Sequence, residues 1–440
     1  MADIRPRARA HLGLGVLICI HIVICCVSLI YVADDKFPIA FEPTTFHMFF
    51  NPAQLLIAVL AVTAFTLVSP LFAFARFSFG YFVGFYFYTM ILSYLWLSCF
   101  TDLNYDHRLA RFSAAASAIA FLLPALFISS PVRQFHVLSA TAFDRLLTFI
   151  FFLAGAIVVA GAAYNFRFVA IADIYDFRDK MEFPAILNYL IGMASSALLP
   201  FAFAGFIARK AYWRAGTVLL LLLFFYPITL SKLALLSPFW LVAILLLSKL
   251  VEARIAVVLS LLVPMLAGLF LVSFFRAHAA PYFSIVNFRM IAIPATAMDV
   301  YSDFFSRHDL TYFCQISVLK GVMHCPYQEP LSIVMERAYK LGHFNASLFA
   351  TEGIASVGML FAPVTAMASG LVIAVGNRLS AGLPAGFILV SGAVIPQVLL
   401  NVPLTTVLLT HGAGLLFLLW YITPRSVFER GTVGQPAATG

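Results

Sequence analysis

Runs of about 20 consecutive apolar residues recur along this chain, and they constrain its fold more than any other feature. One of them, "GLGVLICIHIVICCVSLIYVA", follows the basic segment "RPRAR". A run of this length matches the hydrocarbon core of a bilayer, which an α-helix crosses in about 20 residues. Only 10% of the 440 residues are charged, whereas a soluble domain has about 25%. The sequence therefore predicts an all-α polytopic membrane protein.

The apolar runs predict twelve transmembrane helices in a single integral membrane domain over residues 1–440. The first run is too long for the core of a cleavable signal peptide, so we expect it to remain as a span. The seventh and eighth runs are short, and two half-helices meeting at "LSKLALLSP" are an alternative reading. The predicted spans cover residues 12–33, 53–75, 77–100, 112–130, 146–164, 185–208, 216–231, 236–251, 255–275, 350–374, 384–400 and 404–422.

Lysine and arginine in short loops predict that both termini are cytoplasmic. Loops such as "ARKAYWRAG" and "SKLVEAR" hold many basic residues, and short basic loops stay on the inner side of a membrane. The net charge of +8 then meets anionic headgroups, and it gives no support for nucleic-acid binding. We expect residues 426–440 to form a disordered cytoplasmic tail.

Two long hydrophilic segments are predicted on the outer face, where long loops usually carry function. One is the outer loop 165–184, and the other is a large loop, 276–349, between the ninth and tenth spans. The second contains "FRMIAIPATAMDVYSDFFSRHDL", in which Asp299, Asp303 and Arg307 recur every four residues. This spacing predicts an amphipathic helix that lies on the outer membrane surface.

Basic side chains in or beside these loops form a predicted cationic set. Its members are Arg178, Lys232, Arg276, Arg289, Arg337 and Lys340. The planar fork of arginine suits phosphate oxygens in two-point contacts, so the set is suited to a diphosphate. No acidic cluster with Mg²⁺ spacing accompanies it, and we therefore expect no metal and no cofactor. The alternative for Arg289 is a side chain that reaches the phosphates of bulk membrane lipid.

Polar residues also precede the predicted tenth span, in "MERAYKLGHFNASLFATEGIASVG". His343, Asn345 and Glu352 approach the membrane boundary, where ionisable groups are functional candidates. Glu336 and Lys340 have the order of a favourable i,i+4 pair, so a solvated helix face is the simpler alternative for that part of the segment.

Two cysteines, Cys314 and Cys325, lie in the large outer loop. An oxidising compartment permits a disulfide between them, and we expect one. Free thiols, or a zinc site that includes His324, are the alternatives.

Five short motifs carry a resemblance to a known family. They are "DIYDFR", "SKLALLSPFW", "RMIAIPATAMDVYSDFF", "FNASLFATEGIASVG" and "NVPLTTVLLTHG". In their order and their placement relative to the spans, from about the fifth span to the twelfth, the chain resembles the bacterial oligosaccharide repeat-unit polymerases, the Wzy-type polymerases of O-antigen and exopolysaccharide. The resemblance implies a GT-C-like glycosyltransferase of the inner membrane. Such an enzyme moves a glycan from undecaprenyl diphosphate onto another lipid-linked repeat unit on the periplasmic side.

The same resemblance implies roles for single residues and for partners. Arg178, Lys232, Arg289 and Arg337 match positions expected to bind the diphosphate. His343 or Glu352 would be the base that deprotonates the acceptor hydroxyl. In the related O-antigen ligases a histidine directly precedes an Asn-type residue, whereas here Phe344 separates His343 from Asn345. The partners implied are the lipid-linked oligosaccharide, membrane lipid, a chain-length regulator and a flippase.

Three other functions compete with this reading. An O-antigen ligase uses the same donor with a different acceptor. A lipid-phosphate-sugar glycosyltransferase would use acidic residues in the first outer loop, and Asp34 and Asp35 stand there, although a solvated helix end explains them more simply. A secondary transporter also fits twelve spans, but transporters tend to bind their substrates near the bilayer midplane, and here the charges crowd the outer loops.

Overall fold

A computed structural model describes residues 4–33, 46–170, 174, 177, 181, 183–316, 318–341 and 347–429. Within these residues the secondary structure is helical, apart from one isolated bridge between Met48 and Thr101. Apolar segments in lipid must satisfy their backbone hydrogen bonds internally, which favours helices.

We number the helices in chain order, merging short adjoining turns. They are α1 (Ile4–Ala33), α2 (Pro52–Phe74), α3 (Phe79–Leu97), α4 (His107–Phe127), α5 (Ala140–Tyr164), α6 (Ala185–Ala208), α7 (Tyr212–Thr229), α8 (Lys232–Leu250), α9 (Ala253–Phe275), α10 (Ala280–Phe305), α11 (Leu331–Tyr339), α12 (Phe349–Ser380), α13 (Ala385–Ser391), α14 (Ile395–Leu399), α15 (Leu404–Leu409), α16 (Ala413–Ile422) and α17 (Ser426–Glu429). In the described residues, 11 of these helices, α1–α10 and α12, contain segments long and apolar enough to cross a membrane. The prediction of a multi-pass α-helical membrane protein is confirmed at this level.

The seventh and eighth spans are complete helices. Helix α7 has 18 residues and α8 has 19. They meet at Leu230, whose φ of 47° turns the chain sharply, and Lys232 is the first residue of α8. The alternative of two half-helices at this place is therefore wrong.

The two predicted spans at 384–400 and 404–422 are broken. Short helices α13 to α16 replace them, with interruptions at 392–394, 400–403 and 410–412. The break at 400–403 matches the predicted connection between the two spans, whereas 392–394 and 410–412 interrupt the spans themselves. At the second of these, Gly412 has a φ of 74°, which glycine adopts without a steric penalty. The apolar composition predicts continuous spans and does not reveal these two internal breaks.

Two compact units make up the chain. Unit 1 contains Met1–Ile128, Arg254–Ala374 and Leu399–Thr405, and unit 2 contains Ser129–Ala253, Val375–Val398 and Thr406–Gly440. In unit 2, Arg209 forms two hydrogen bonds with the carboxylate of Asp144, of 2.8 and 2.7 Å. This pair links α5 to the end of α6.

Helix α3 is the centre of unit 1, because every one of its residues is buried. Its first turn is capped by the Ser78 hydroxyl, which accepts a hydrogen bond from the Tyr81 amide. The hydroxyls of Tyr86 and Ser260 are 3.0 Å apart, and those side chains join α3 to α9. A buried polar group without such a partner would be destabilising, so these bonds fix the position of α3 among its neighbours.

Asn287 joins three helices inside unit 1. Its amide nitrogen donates to the Ser28 hydroxyl at 2.8 Å and to the Met265 carbonyl at 2.9 Å. Gly268 on α9 makes room for this side chain, since a Cβ at that position would lie 1.9 Å from the Asn287 Oδ1. Glycine at 268 is therefore a packing requirement.

Helix α10 differs from the predicted surface helix. Every residue from Pro294 to Phe305 is buried, including the positions expected to face water. Helix α10 packs against α3 and the start of α12, and these neighbours cover its polar side chains. The prediction of a surface-lying amphipathic helix is thus wrong for this segment, although Asp303 and Arg307 do form an ion pair at the i,i+4 spacing.

Each half of α10 has a contact near the place where α1 or α3 ends. The ring of Phe283 lies 6.3 Å from that of Tyr31 at the end of α1, and Asp299 contacts Tyr105, which follows α3. The ends of α1 and α3 themselves are joined through residues 49 and 50, whose amides donate to the carbonyls of residues 100 and 33. Helix α10 is itself long and apolar enough to cross a membrane.

The chain after α16 continues into the short helix α17. Phe428 packs against Phe387 with ring centroids 5.0 Å apart, which orders residues expected to begin a disordered tail. The remainder of that predicted tail, 430–440, lies outside the described residues.

Candidate functional site

The polar groups of unit 1 gather in a region that we call the polar end. It consists of residues 46–50, 98–111, 299–312 and 327–340. Among the described residues, buried carboxylates are found at three positions in the chain, Asp299, Asp303 and Glu352. The first two belong to the polar end. Buried ionised groups are costly unless they are paired or hydrogen-bonded, so the contacts of each define what it can do.

Asp299 is held by a phenol from the segment after α3. The Tyr105 hydroxyl donates to Oδ1 of Asp299, and the hydroxyls of Tyr94 and Tyr105 are 3.1 Å apart. Burial, followed by the negative charge of Asp299, holds the pKa of Tyr105 well above its ordinary value. Tyr105 therefore stays protonated and remains a hydrogen-bond donor.

Asp303 lies one helical turn further along α10 and has two partners. It accepts a hydrogen bond from the Tyr339 hydroxyl, 2.6 Å from Oδ2, and it forms an ion pair with Arg307 through Oδ1. Burial raises the pKa of Tyr339, and its hydrogen bond with Asp303 raises it further. Arg307 is more than half exposed, so the end of α10 presents a cation to the surface above a buried carboxylate.

His47 and Asp102 form a third pair at the polar end. Nδ1 of His47 lies 2.8 Å from Oδ1 of Asp102, and the His47 ring meets the edge of the Tyr339 ring at 6.3 Å. Asp299 is close enough to interact electrostatically with His47. The pair therefore adjoins the carboxylate cluster of α10.

Glu352 has a different environment. Both of its carboxylate oxygens accept hydrogen bonds, each 2.9 Å long, from the backbone amides of Leu404 and Thr405. These amides belong to the first turn of α15, which has no intrahelical acceptors for them. A carboxylate at a helix N-terminus is favourable, and Glu352 thus acts as a cap for α15. Its lone pairs are directed at backbone donors, which disfavours its predicted role as a base.

The predicted cationic set is only partly described. Arg178, His343 and Asn345 lie outside the described residues. Lys232 belongs to unit 2. In unit 1, Arg276 and Arg289 are exposed near the start of α10, and Arg337 and Lys340 are exposed on or beside α11. No hydrogen bond or ion pair within the described chain connects the first two with the other two.

Arg337 has a carboxylate partner. Its guanidinium lies 2.9 Å from the carboxylate of Glu329, and both side chains are well exposed. Exposed ion pairs of this kind contribute about 0–1 kcal/mol, so Glu329 restrains Arg337 only weakly. Helix α11 also carries Tyr339, whose hydroxyl is hydrogen-bonded to Asp303. Arg337 and Lys340 are within two residues of Tyr339 in sequence, which places their backbone near the Asp303 cluster.

A disulfide joins Cys314 and Cys325 in the segment between α10 and α11, with Cα atoms 5.4 Å apart. The same segment is fixed to α12, where the φ of 74° at Gly358 interrupts the helix. The carbonyls of Ala355 and Ser356 accept hydrogen bonds from the amides of residues 311 and 312. The kink in α12 therefore provides the acceptors that hold this segment in place.

Sequence reasoning singled out Asp299, Asp303 and Arg307 by their spacing, but it missed their partners. Tyr105 and the His47–Asp102 pair come from segments without helical periodicity, and Tyr339 belongs to a different helix from its partner Asp303. Each lies too far along the chain from its partner for a local pattern to connect them. The motif "NYDH" around Tyr105 is a usable signal, since it places polar residues directly after an apolar span.

The chain was also compared with known proteins. No protein-family model, no curated protein and no solved structure matches it significantly. Among the described residues, no group of three or more His, Cys, Asp or Glu side chains is placed to hold a metal ion.

Proposed function

We propose that this protein is a membrane glycosyltransferase that polymerises oligosaccharide repeat units linked to undecaprenyl diphosphate. The observation that carries the proposal is the position of the polar end within unit 1. Its carboxylates, phenols and imidazole collect where α1 and α3 end. A site at the end of the spans suits a substrate with a lipid tail in the bilayer and a sugar chain in water.

The chemistry of the substrate matches the residues available. A lipid diphosphate is already a good leaving group, so an enzyme needs mainly to position the reactants and to stabilise the negative charge that develops. Exposed arginines suit this second task, because each offers two parallel donors to phosphate oxygens. We assign the diphosphate to the cations of the large loop, which belong to unit 1: Arg276, Arg289, Arg337 and Lys340. The reaction would need no metal.

The fold type, the membrane and the side of the membrane in this proposal come from the family resemblance. The enzyme would have a GT-C-like fold, lie in the bacterial inner membrane with both termini in the cytoplasm, and act on the periplasmic face. The Cys314–Cys325 bond supports that side of the membrane, because disulfides persist in oxidising compartments. An O-antigen ligase would share the donor and differ only in its acceptor.

One observation favours a secondary transporter as a second candidate. Helices α13 to α16 are discontinuous, and broken helices form the substrate sites of many transporters near the bilayer midplane. In the described part of the chain, however, no charged side chain is buried in α13–α16. The buried carboxylates belong to α10 and to the start of α12 instead.

The test is polymerisation by the purified protein in liposomes. The only substrate supplied would be the undecaprenyl-diphosphate repeat unit of the host, and the products would be separated by size on a gel. We expect a ladder of products from the wild-type protein and none from Arg289→Ala. The matched control is Arg76→Ala, because Arg76 is also exposed but lies between α2 and α3, away from the polar end.

Other outcomes separate the alternatives. A folded wild-type protein that forms no ladder is not a polymerase. Transfer of the same donor only to a lipid A–core acceptor would identify a ligase, and saturable uptake of a soluble solute into the liposomes would identify a transporter. A ladder that persists in Arg289→Ala would keep the function and remove Arg289 from the diphosphate site.

A further inference from the structure

The His47–Asp102 pair has the arrangement of a general base. The Asp102 carboxylate can only accept a hydrogen bond, so Nδ1 of His47 is the donor across the 2.8 Å contact. This bond leaves Nε2 as the proton-accepting nitrogen of the neutral ring. Within the part of the chain that the structure describes, Nε2 has no hydrogen-bond partner, and about a third of the His47 side chain is exposed (32%).

The backbone at His47 is held in an uncommon conformation. Its φ is 57°, in the left-handed region that few residues other than glycine adopt. Strained positions of this kind persist where the surroundings fix them, and they cluster at functional sites. Here the fixing contacts come from the partner segment itself. Residues 48 and 101 form the isolated bridge, and the Asp102 amide donates back to the His47 carbonyl at 3.4 Å.

Acidic and phenolic side chains surround the His47 ring. Its neighbours from other elements are Asp102 after α3, Asp299 on α10 and Tyr339 on α11. Asp102 and Asp299 are acidic, and no lysine or arginine of the described chain contacts the ring.

We infer that His47 is the catalytic base of the polymerisation and that Asp102 is its positioning residue. This inference rests on the proposed function. It assigns the role of the base to His47 and not to His343 or Glu352, which the family resemblance implied. The acceptor hydroxyl oxygen forms a bond to the anomeric carbon of the donor sugar. The bond from that carbon to the phosphate oxygen breaks, and undecaprenyl diphosphate leaves with the electron pair. The hydroxyl proton moves to Nε2 of His47 and is later released to water.

The experiment measures single-turnover coupling of two repeat units by the full-length protein in liposomes. His47→Asn is the main variant, because asparagine tolerates the left-handed backbone but cannot act as the base. We expect its rate to fall by about 100-fold or more, as for loss of a general base, with unchanged binding of undecaprenyl diphosphate. Asp102→Asn should also slow coupling. His136→Ala, which removes an exposed histidine of unit 2, should leave the rate unchanged.

Two further readouts separate a catalytic from a structural role. The wild-type rate should rise with pH on its acid side, and that dependence should disappear in His47→Asn. Added imidazole should restore part of the rate of His47→Ala. The inference is overturned if folded His47→Asn and His47→Ala both couple at the wild-type rate, or if they lose donor binding in step with coupling. If the wild-type protein does not couple repeat units, both the proposed function and the assignment of His47 are refuted. If the wild type couples and the variants still couple at its rate, only the assignment of His47 is refuted.

Discussion

The hydroxyl of Tyr339 donates a hydrogen bond to Asp303 across 2.6 Å, and this contact joins the end of α10 to α11. Asp303 is buried and Tyr339 is half-buried. The bond therefore fixes the helix that carries Arg337 onto the helix that carries the buried carboxylates.

Replacing Tyr339 by phenylalanine tests that connection. We expect Tyr339→Phe to lower the free energy of unfolding by about 1–2 kcal/mol, because the buried carboxylate loses a donor. The measurement is thermal or denaturant unfolding in detergent. Tyr312→Phe is the control, since that side chain is 62% exposed. Equal stability of the two variants would show that the Tyr339 bond contributes nothing.

Glu352 should behave as a helix cap. In Glu352→Gln the amide oxygen replaces only one of two acceptors, so at least one of the amides of Leu404 and Thr405 is left with a weaker or missing bond. We expect a loss of about 1–3 kcal/mol in unfolding free energy. The coupling rate per folded molecule should stay within about threefold of wild type. A variant that is as stable as wild type yet inactive would instead make Glu352 catalytic.

Gly268 should tolerate no side chain. In Gly268→Ala the new Cβ meets Asn287 at 1.9 Å, and Asn287 is fixed by two hydrogen bonds to neighbouring helices. We expect destabilisation of about 2–3 kcal/mol from overpacking and disturbed hydrogen bonding.

The control for that substitution is Gly216→Ala, where nothing lies within 4 Å of the added carbon. It should be neutral or stabilise α7 by up to about 1 kcal/mol. Unfolding curves of the two variants in the same detergent provide the comparison, and a stable Gly268→Ala protein would contradict the packing described for Asn287.

The Cys314–Cys325 bond should stabilise the segment between α10 and α11. The bridged residues are 11 apart in sequence, and closing a loop of that size contributes about 2–3 kcal/mol in the chain-entropy model. Cys314→Ser and Cys325→Ser should lower stability equally, and the double variant should fall no further. A reductant should lower the wild type to the same level and leave the variants unchanged. Additive losses in the double variant would argue against the bond.

The spans were largely predictable because each depends on local composition. The run at 12–33 corresponds to the apolar part of α1, and that at 185–208 to α6. The interruptions at 392–394 and 410–412 were not predictable from hydropathy, since a break in an apolar run can depend on a single residue such as Gly412. For α10 the spacing of Asp299 and Asp303 predicted a shared face. Their burial depends on α3 and α12, which no local pattern reveals.

The site itself was less accessible to sequence reasoning for a related reason. Tyr105 and Asp299 are 194 residues apart, and His47 and Asp102 are 55 apart. A periodic pattern reports only on neighbours within one helix. The residues that sequence analysis ranked highest, the exposed cations, are recognisable as single side chains, whereas the carboxylate, phenol and imidazole cluster exists only after the chain has folded.

The bond between Tyr86 and Ser260 has a consequence for how the protein is made. Tyr86 of α3 is synthesised 174 residues before its hydrogen-bond partner Ser260. A nascent chain that ends after α8 thus contains Tyr86 but not Ser260. Unit 1 also contains Arg254–Ala374, so its packing can be completed only after α9 and α10 have been synthesised.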